Sequence, residues 1–167
     1  MNSEYMILGI SFNWERRKGL DVFLRLASEL DDRYKIVLVG TNDEVDKMLP
    51  ENIISIHHTA DQRELSEIYS AADVVVNPTR EDNFPTVNIE SLACGTPVIT
   101  FITGGSAEII DNQSGIGIEQ DNYEGLVTAI TNVCEGRILK KDDCIKRSTF
   151  FDRYRKFQEY VDLYQAI

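Results

Sequence analysis

The stretch DQRELSEIYSAADVVVNPTREDNFPTVNIESLACGTPVITF, Asp61 to Phe101, holds the pattern that decides the fold. From Asp61 to Ala72 the apolar residues Leu65, Ile68 and Tyr69 recur at helical spacing, so one face of a helix is apolar. Asp73 to Asn77 (DVVVN) is a short apolar run that stops at Pro78, as a buried strand does. After the loop segment Thr79 to Thr86, the spacing predicts a short helix through Cys94, stopped by Gly95. Pro97 to Phe101 (PVITF) is again strand-like. Helices alternating with strands that are apolar on both sides predict a parallel sheet covered on both faces.

The same alternation extends outward in both directions. Tyr5 to Ser11, Tyr34 to Val39 and Ile53 to His57 read as strands. Leu20 to Leu30 reads as a helix whose stripe is Leu20, Phe23, Leu24, Leu26 and Ala27. Gly104-Gly105 is a turn into a short helix, Ser106 to Ile110; Gly115 and Gly117 read as turn residues, and Tyr123 to Glu135 as a helix. The last stretch, Asp142 to Ile167, reads as helical, with Phe157, Tyr160, Val161 and Tyr164 at packing intervals. The expectation is a single α/β domain over residues 1–167, Rossmann-like, with a parallel sheet and helices on both faces.

Composition narrows the function classes. Of 167 residues, 43% are apolar and 27% charged, a globular balance. The net charge is 17 − 28 = −11, which argues against general nucleic-acid binding. Any anionic ligand must then be held by a local site against the overall field. The three cysteines, Cys94, Cys134 and Cys144, are odd in number and widely spaced, which suggests neither a disulfide frame nor a zinc site. With no long apolar run and no basic, apolar leader at Met1 to Ser11, the expectation is a soluble chain in a reduced, cytoplasmic setting.

In such folds ligands sit at the carboxyl ends of the strands. Two segments there carry candidate chemistry. Ser11 to Leu20 (SFNWERRKGL) sets Arg16, Arg17 and Lys18 just after the first strand, where guanidinium, ammonium and backbone N–H groups suit a phosphate. Pro78 to Pro97 (PTREDNFPTVNIESLACGTP) sets Asp82 in a loop and Glu90 one turn into the following helix, eight residues apart. Thr86 is the expected cap, leaving the N–H groups of Val87 and Asn88 free for an anion. Glu90 can accept two hydrogen bonds from a vicinal diol, so one element would hold a diphosphate and a ribose. His57 and His58, adjacent on a strand, would point to opposite faces and read as structural. Trp14 would flank a sugar or base, or meet another domain.

Lys18-Gly19, Val37 to Gly40, Ala71 to Pro78, Glu81 to Pro97, and Gly104-Gly105 followed by Glu108 to Ile110 resemble the group 1 glycosyltransferases. The resemblance runs over nearly the whole chain and covers the C-terminal, donor-binding half of that family's GT-B architecture. It implies retaining transfer of a hexosyl group from a nucleotide diphosphate sugar, with no cofactor and no bound metal, in surface polysaccharide or glycolipid synthesis. By position, Lys18 with Arg17 would neutralise the donor diphosphate, and Glu90 would hold the ribose as the second glutamate of the E-x7-E signature. Asp82 falls at the first position, where most members have Glu, and would contact the transferred sugar; Glu81 beside it is a candidate to compensate. Asn83, Phe84, Pro85, Thr86 and Val87 would line the sugar and phosphates. Ile10, Ser11 and Phe12 offer no counterpart of the family's arginine after the first strand, leaving Arg16 or Arg17 as replacements, and Ile54 to His58 lie near the expected base. The resemblance further implies a facing N-terminal acceptor domain, toward which residues 142–167 would cross. It also implies peripheral contact of the full-length protein with the inner face of the membrane, and an isolated domain that transfers nothing useful. Two alternatives stand beside it: a sugar-nucleotide epimerase of the same architecture, and a non-catalytic nucleotide-binding α/β domain.

Overall fold

A computed structural model describes residues 5–166. The chain ends at 1–4 and 167, over which the domain reading extends, lie outside the described residues. Six strands form one sheet: β1 (Tyr5–Ile10), β2 (Tyr34–Val39), β3 (Ile53–Ile56), β4 (Val74–Asn77), β5 (Val98–Phe101) and β6 (Gly115–Ile118). Their order is β3-β2-β1-β4-β5-β6 and every pairing is parallel, the doubly wound arrangement. The helices are α1 (Leu20–Glu29), α2 (Asp43–Asp46), α3 (Gln62–Ala71), α4 (Thr86–Ala93), α5 (Ser106–Ile109), α6 (Tyr123–Cys134), α7 (Lys141–Ser148) and α8 (Arg153–Gln165).

Strand residues alternate between two cores because successive side chains leave a strand on opposite faces. Ile7, Ile36, Leu38, Val74, Val76 and Ile99 join Phe23 and Leu26 of α1 and Leu126 and Ile130 of α6. Leu8, Val37, Val39, Val75 and Val98 join Tyr69 of α3, Leu92 of α4, Ile109 of α5 and Cys144 of α7. Each fully buried aliphatic side chain contributes about 1.5–3 kcal/mol, so both layers are needed to hold the sheet.

Several local expectations are corrected. In α1 it is Val22 that is buried, while Leu24 is only half-buried. Gly115 and Gly117 belong to edge strand β6. A Cβ at Gly115 would stand 2.5 Å from the Val98 carbonyl oxygen, so close backbone approach, not a turn, explains the glycine. The strand ends at Ile56, so His57 and His58 are loop residues and the opposite-face reasoning does not apply to them. Their rings meet edge to face at 6.1 Å. Trp14 is no exposed contact: it is 7% accessible, stacks edge-on against Phe23 at 5.4 Å, and donates its indole N–H to Val39 O at 3.0 Å. The C-terminal helical stretch breaks at Asp152, whose carboxylate accepts from Tyr154 N and Arg155 N and so caps a new helix. That helix, α8, has no buried residue among those described, and the predicted packing stripe faces outward; Phe157 is 63% and Tyr164 77% exposed.

Candidate functional site

β1 and β4 are neighbours, and the chain leaves them in opposite directions along the sheet, which opens a crevice at their carboxyl ends. Both sequence-chosen segments arrive there. Arg16–Lys18 form one 3-10 turn, closed by Gly19 at φ +80°. Any Cβ on Gly19 would collide with Pro78 at the end of β4, so the basic turn rests directly on the second segment. Arg80 N donates to Arg17 O at 2.8 Å, and Arg17 Nη1 donates to Glu81 O at 3.3 Å. The Arg80 side chain spans Asp21 (2.8 Å) and Asp121 (2.7 Å) and also reaches Arg16 O. Arg80 was not singled out from sequence, although it ties the two loops together; its partners are 41 and 59 residues away.

Lys18 Nζ lies 2.6 Å from Asp82 Oδ2, with both side chains about one-fifth exposed (22% and 21%). The other Asp82 oxygen accepts from Phe84 N at 3.3 Å. The loop is clamped from behind by the glycine turn: Gly105 N donates to Asn83 O at 2.9 Å, and a Cβ on Gly104 would strike Asp82 O. The Asn83 carbonyl is thus engaged in scaffold, and Asn83 lines neither cavity described below. Glu81 is exposed and also stays off the cavity walls, accepting through its carbonyl from Thr79 Oγ1 and Arg17.

At the start of α4 the cap is Pro85, not Thr86, and no side chain caps the helix. Asn88 N donates to Pro85 O at 3.1 Å, so the free N–H groups are those of Thr86 and Val87 among the described residues, one position earlier than expected. Asn88 faces inward, accepting from Asn77 Nδ2 at 2.9 Å. Glu90 Oε2 accepts from Tyr69 OH at 2.8 Å. Burial, and then the adjacent Glu90 charge, raise the Tyr69 phenol well above its usual range, so it remains a donor to Glu90. Tyr69 as the partner of Glu90 was invisible in the sequence, where it appeared only as an apolar helix position.

Two cavities meet at this crevice. One, about 320 Å³, is walled by Trp14, Arg17, Lys18, Asp82, Phe84, Pro85, Thr86 and Val87. The other, about 700 Å³, is walled by Gly40, His57, His58, Tyr69 and Glu90. They share Ile10, Ser11, Phe12, Thr86 and Val87. Arg17, Lys18, Asp82, Phe84, Pro85, Thr86, Val87 and Glu90 therefore line one continuous, two-chambered crevice, whereas Arg16, Glu81 and Asn83 do not; the basic turn and the α4 N-terminus both contribute to the walls of the smaller chamber. A cation pair facing a helix N-terminus is anion-binding geometry, and a carboxylate in the next chamber suits hydroxyl groups.

The family model for group 1 glycosyl transferases matches residues 5–135. The chain belongs to that family. Among relatives of this chain is the N,N'-diacetylbacillosaminyl-diphospho-undecaprenol alpha-1,3-N-acetylgalactosaminyltransferase of Campylobacter jejuni. It is 24% identical over 157 residues, covering 90% of this chain and 42% of the relative. Sucrose-phosphate synthase from Thermosynechococcus elongatus has the same fold at TM-score 0.81 and 22% identity, over 100% of this chain and 47% of its own. Anabaena HepE in complex with UDP matches at TM-score 0.81 and 17% identity, over 99% and 50%. The chain spans less than half the length of the curated relatives it matches first. It corresponds to a C-terminal-like half of the GT-B fold. No helix among the described residues is long and apolar enough to cross a membrane.

His57, on the wall of the larger chamber, and Asp43 and Asp46 bring possible metal-ligand atoms within 4.8 Å of one another. Hydrogen bonds from Ser55 and then His57 hold the Asp46 carboxyl below its usual range, at 2.5 and 2.7 Å. Asp46 is thus already satisfied within the chain.

Proposed function

We propose that this domain binds the donor of a retaining hexosyltransferase, a nucleotide diphosphate sugar, in the two-chambered crevice. The carrying observation is that Lys18 and the α4 N-terminus, which no side chain caps, line one chamber together while Glu90 lines the next. The diphosphate lies between Lys18, assisted by Arg17, and the N–H groups of Thr86 and Val87. The ribose hydroxyls donate to Glu90, whose other tie, to Tyr69, fixes its orientation. The hexose lies beside Asp82, with Phe84 and Pro85 along its wall. As the bond from the anomeric carbon to the diphosphate breaks, negative charge grows on the leaving phosphate. Lys18 and the helix N-terminus stabilise that charge without a bound metal, and one such contact is worth roughly 2–4 kcal/mol in the transition state.

The acceptor and any group acting on it belong to a facing N-terminal domain, against which the outward aromatic face of α8 packs. The domain alone then binds donor but transfers nothing. The Campylobacter relative is named for an alpha linkage and a lipid diphosphate acceptor. That supports a role in surface glycan or glycolipid synthesis; retention, and a cytoplasmic protein meeting the membrane's inner face peripherally, complete the proposal.

Calorimetric titration with UDP, GDP, ADP and their sugars tests the site. Lys18→Ala and Glu90→Gln should each weaken the best ligand about ten-fold or more. Glu90→Gln keeps an acceptor for the buried Tyr69 hydroxyl, which Glu90→Ala would strand at a stability cost. Unaltered affinity in both variants overturns the assignment. In the full-length protein, labelled donor separates sugar transfer from epimerisation.

A further inference from the structure

Phe12 stands out among the apolar side chains because its ring is fully exposed, at 101% of the reference area, yet it is on the wall shared by both chambers. The loop that carries it is well anchored. Ser11 N donates to Val39 O at 3.1 Å, Asn13 N donates to Ser11 Oγ at 3.3 Å, and buried Trp14 donates to the same Val39 carbonyl. Beneath the loop, Gly40 sits at φ +82°, and a Cβ there would strike Ser11 O. Residues on both sides of Phe12 are therefore fixed, and the ring is held out in water where it adds nothing to the core. Thr86 and Val87 at the α4 N-terminus line both chambers with it, and Glu90, one turn further on, lines the larger.

We propose that Phe12 is a positioning residue for the donor, packing its ring against the ribose of the bound nucleoside diphosphate. The inference rests on the donor-site reading above. A ribose whose hydroxyls point to Glu90 turns its C–H face away from that carboxylate, and the exposed ring of Phe12 on the wall of the same chamber is placed to cover it. Covering that face with an aromatic ring buries apolar surface on both partners. It also keeps water from the junction between ribose and diphosphate, which strengthens the attraction of Lys18 for the phosphate.

The test uses the 167-residue chain and whichever of UDP, GDP and ADP binds it tightest, followed by calorimetry. Phe12→Ala should weaken that nucleoside diphosphate about ten-fold, as expected if the contact buries roughly 50 Å² of apolar surface. Its melting temperature should stay at the wild-type value, because the ring is fully exposed. Phe12→Tyr, which keeps the ring, should bind close to wild type. Inorganic pyrophosphate, which has no ribose, should bind Phe12→Ala and wild type alike. Unchanged nucleoside diphosphate affinity in Phe12→Ala overturns the inference and leaves the ring to contact the facing domain. An equal loss for pyrophosphate overturns it as well, by showing a disturbed loop. If Phe12→Ala is unchanged while Lys18→Ala binds more weakly, only this inference falls. If wild type binds none of the three nucleotides, the donor-site reading falls and takes the inference with it.

Discussion

Replacing Asp82 with Asn should tighten the binding of a nucleoside diphosphate, although it removes a residue of the proposed site. Lys18 is paired with Asp82 at 2.6 Å, so a diphosphate must draw the ammonium away from that carboxylate. At an effective dielectric constant of about 20, the gross attraction at this distance is about 6 kcal/mol; desolvation offsets most of it. A charged hydrogen bond of this kind is worth about 1.5–3 kcal/mol net. Asparagine has the same shape and retains an oxygen for the Phe84 N–H, so the loop conformation survives. With the competing charge removed, roughly half of that net worth becomes available to the ligand, a gain of about 3- to 12-fold in affinity. The nucleotide sugar should gain less, because its hexose loses the carboxylate. Stability should fall by a few degrees, at about 2–4 °C per kcal/mol for a chain of this size. Calorimetry with UDP, GDP or ADP and with the matching nucleotide sugar, beside a thermal melt, measures all three effects. A nucleoside diphosphate that binds Asp82→Asn no better than wild type refutes the competition between carboxylate and phosphate for Lys18.

Two further outcomes test the scaffold. Gly9→Ala places a Cβ 2.5 Å from Phe23 Cζ and 2.9 Å from Leu38 Cδ2, and overpacking of this kind costs about 1–3 kcal/mol, so a melting temperature equal to wild type would contradict the packing between β1 and α1. Stability should also decline in alkali: burial first of all pushes Tyr34, Tyr123, Cys134 and Cys144 up to about 12. These groups keep their protons in the folded chain after the unfolded chain has lost them, so the stabilisation is complete below about pH 9 and is lost as the pH rises toward 12. A urea midpoint that stays level from about pH 8 to pH 11 would refute this.

Much of this protein was legible in local pattern. The alternation from Asp61 to Phe101 identifies a covered parallel sheet, because strands buried on both faces must be apolar at every position. Lys18 and Glu90 could be chosen because each lies just beyond the carboxyl end of a strand, where such sheets open. Periodicity misled where a residue served a distant contact. Gly115 and Gly117 resembled a turn because nothing local reveals how closely β5 approaches them. Trp14 resembled a surface residue because Phe23 and the Val39 carbonyl, its partners, lie on other elements. The C-terminal aromatics read as packing, yet α8 turns them outward.

What the amino-acid order determined alone was which segments are helices and strands, the balance of charge, and the two loops able to hold a phosphate and a diol. Only the tertiary structure decided that Lys18 meets Asp82, 64 residues away, that Tyr69 steadies Glu90, and that Phe12 projects over the seam between the chambers. The physical reason is that helix and strand periods are set by neighbours a few residues apart. These contacts exist because β1 lies beside β4 in the sheet, and that adjacency is won by burying both faces at once.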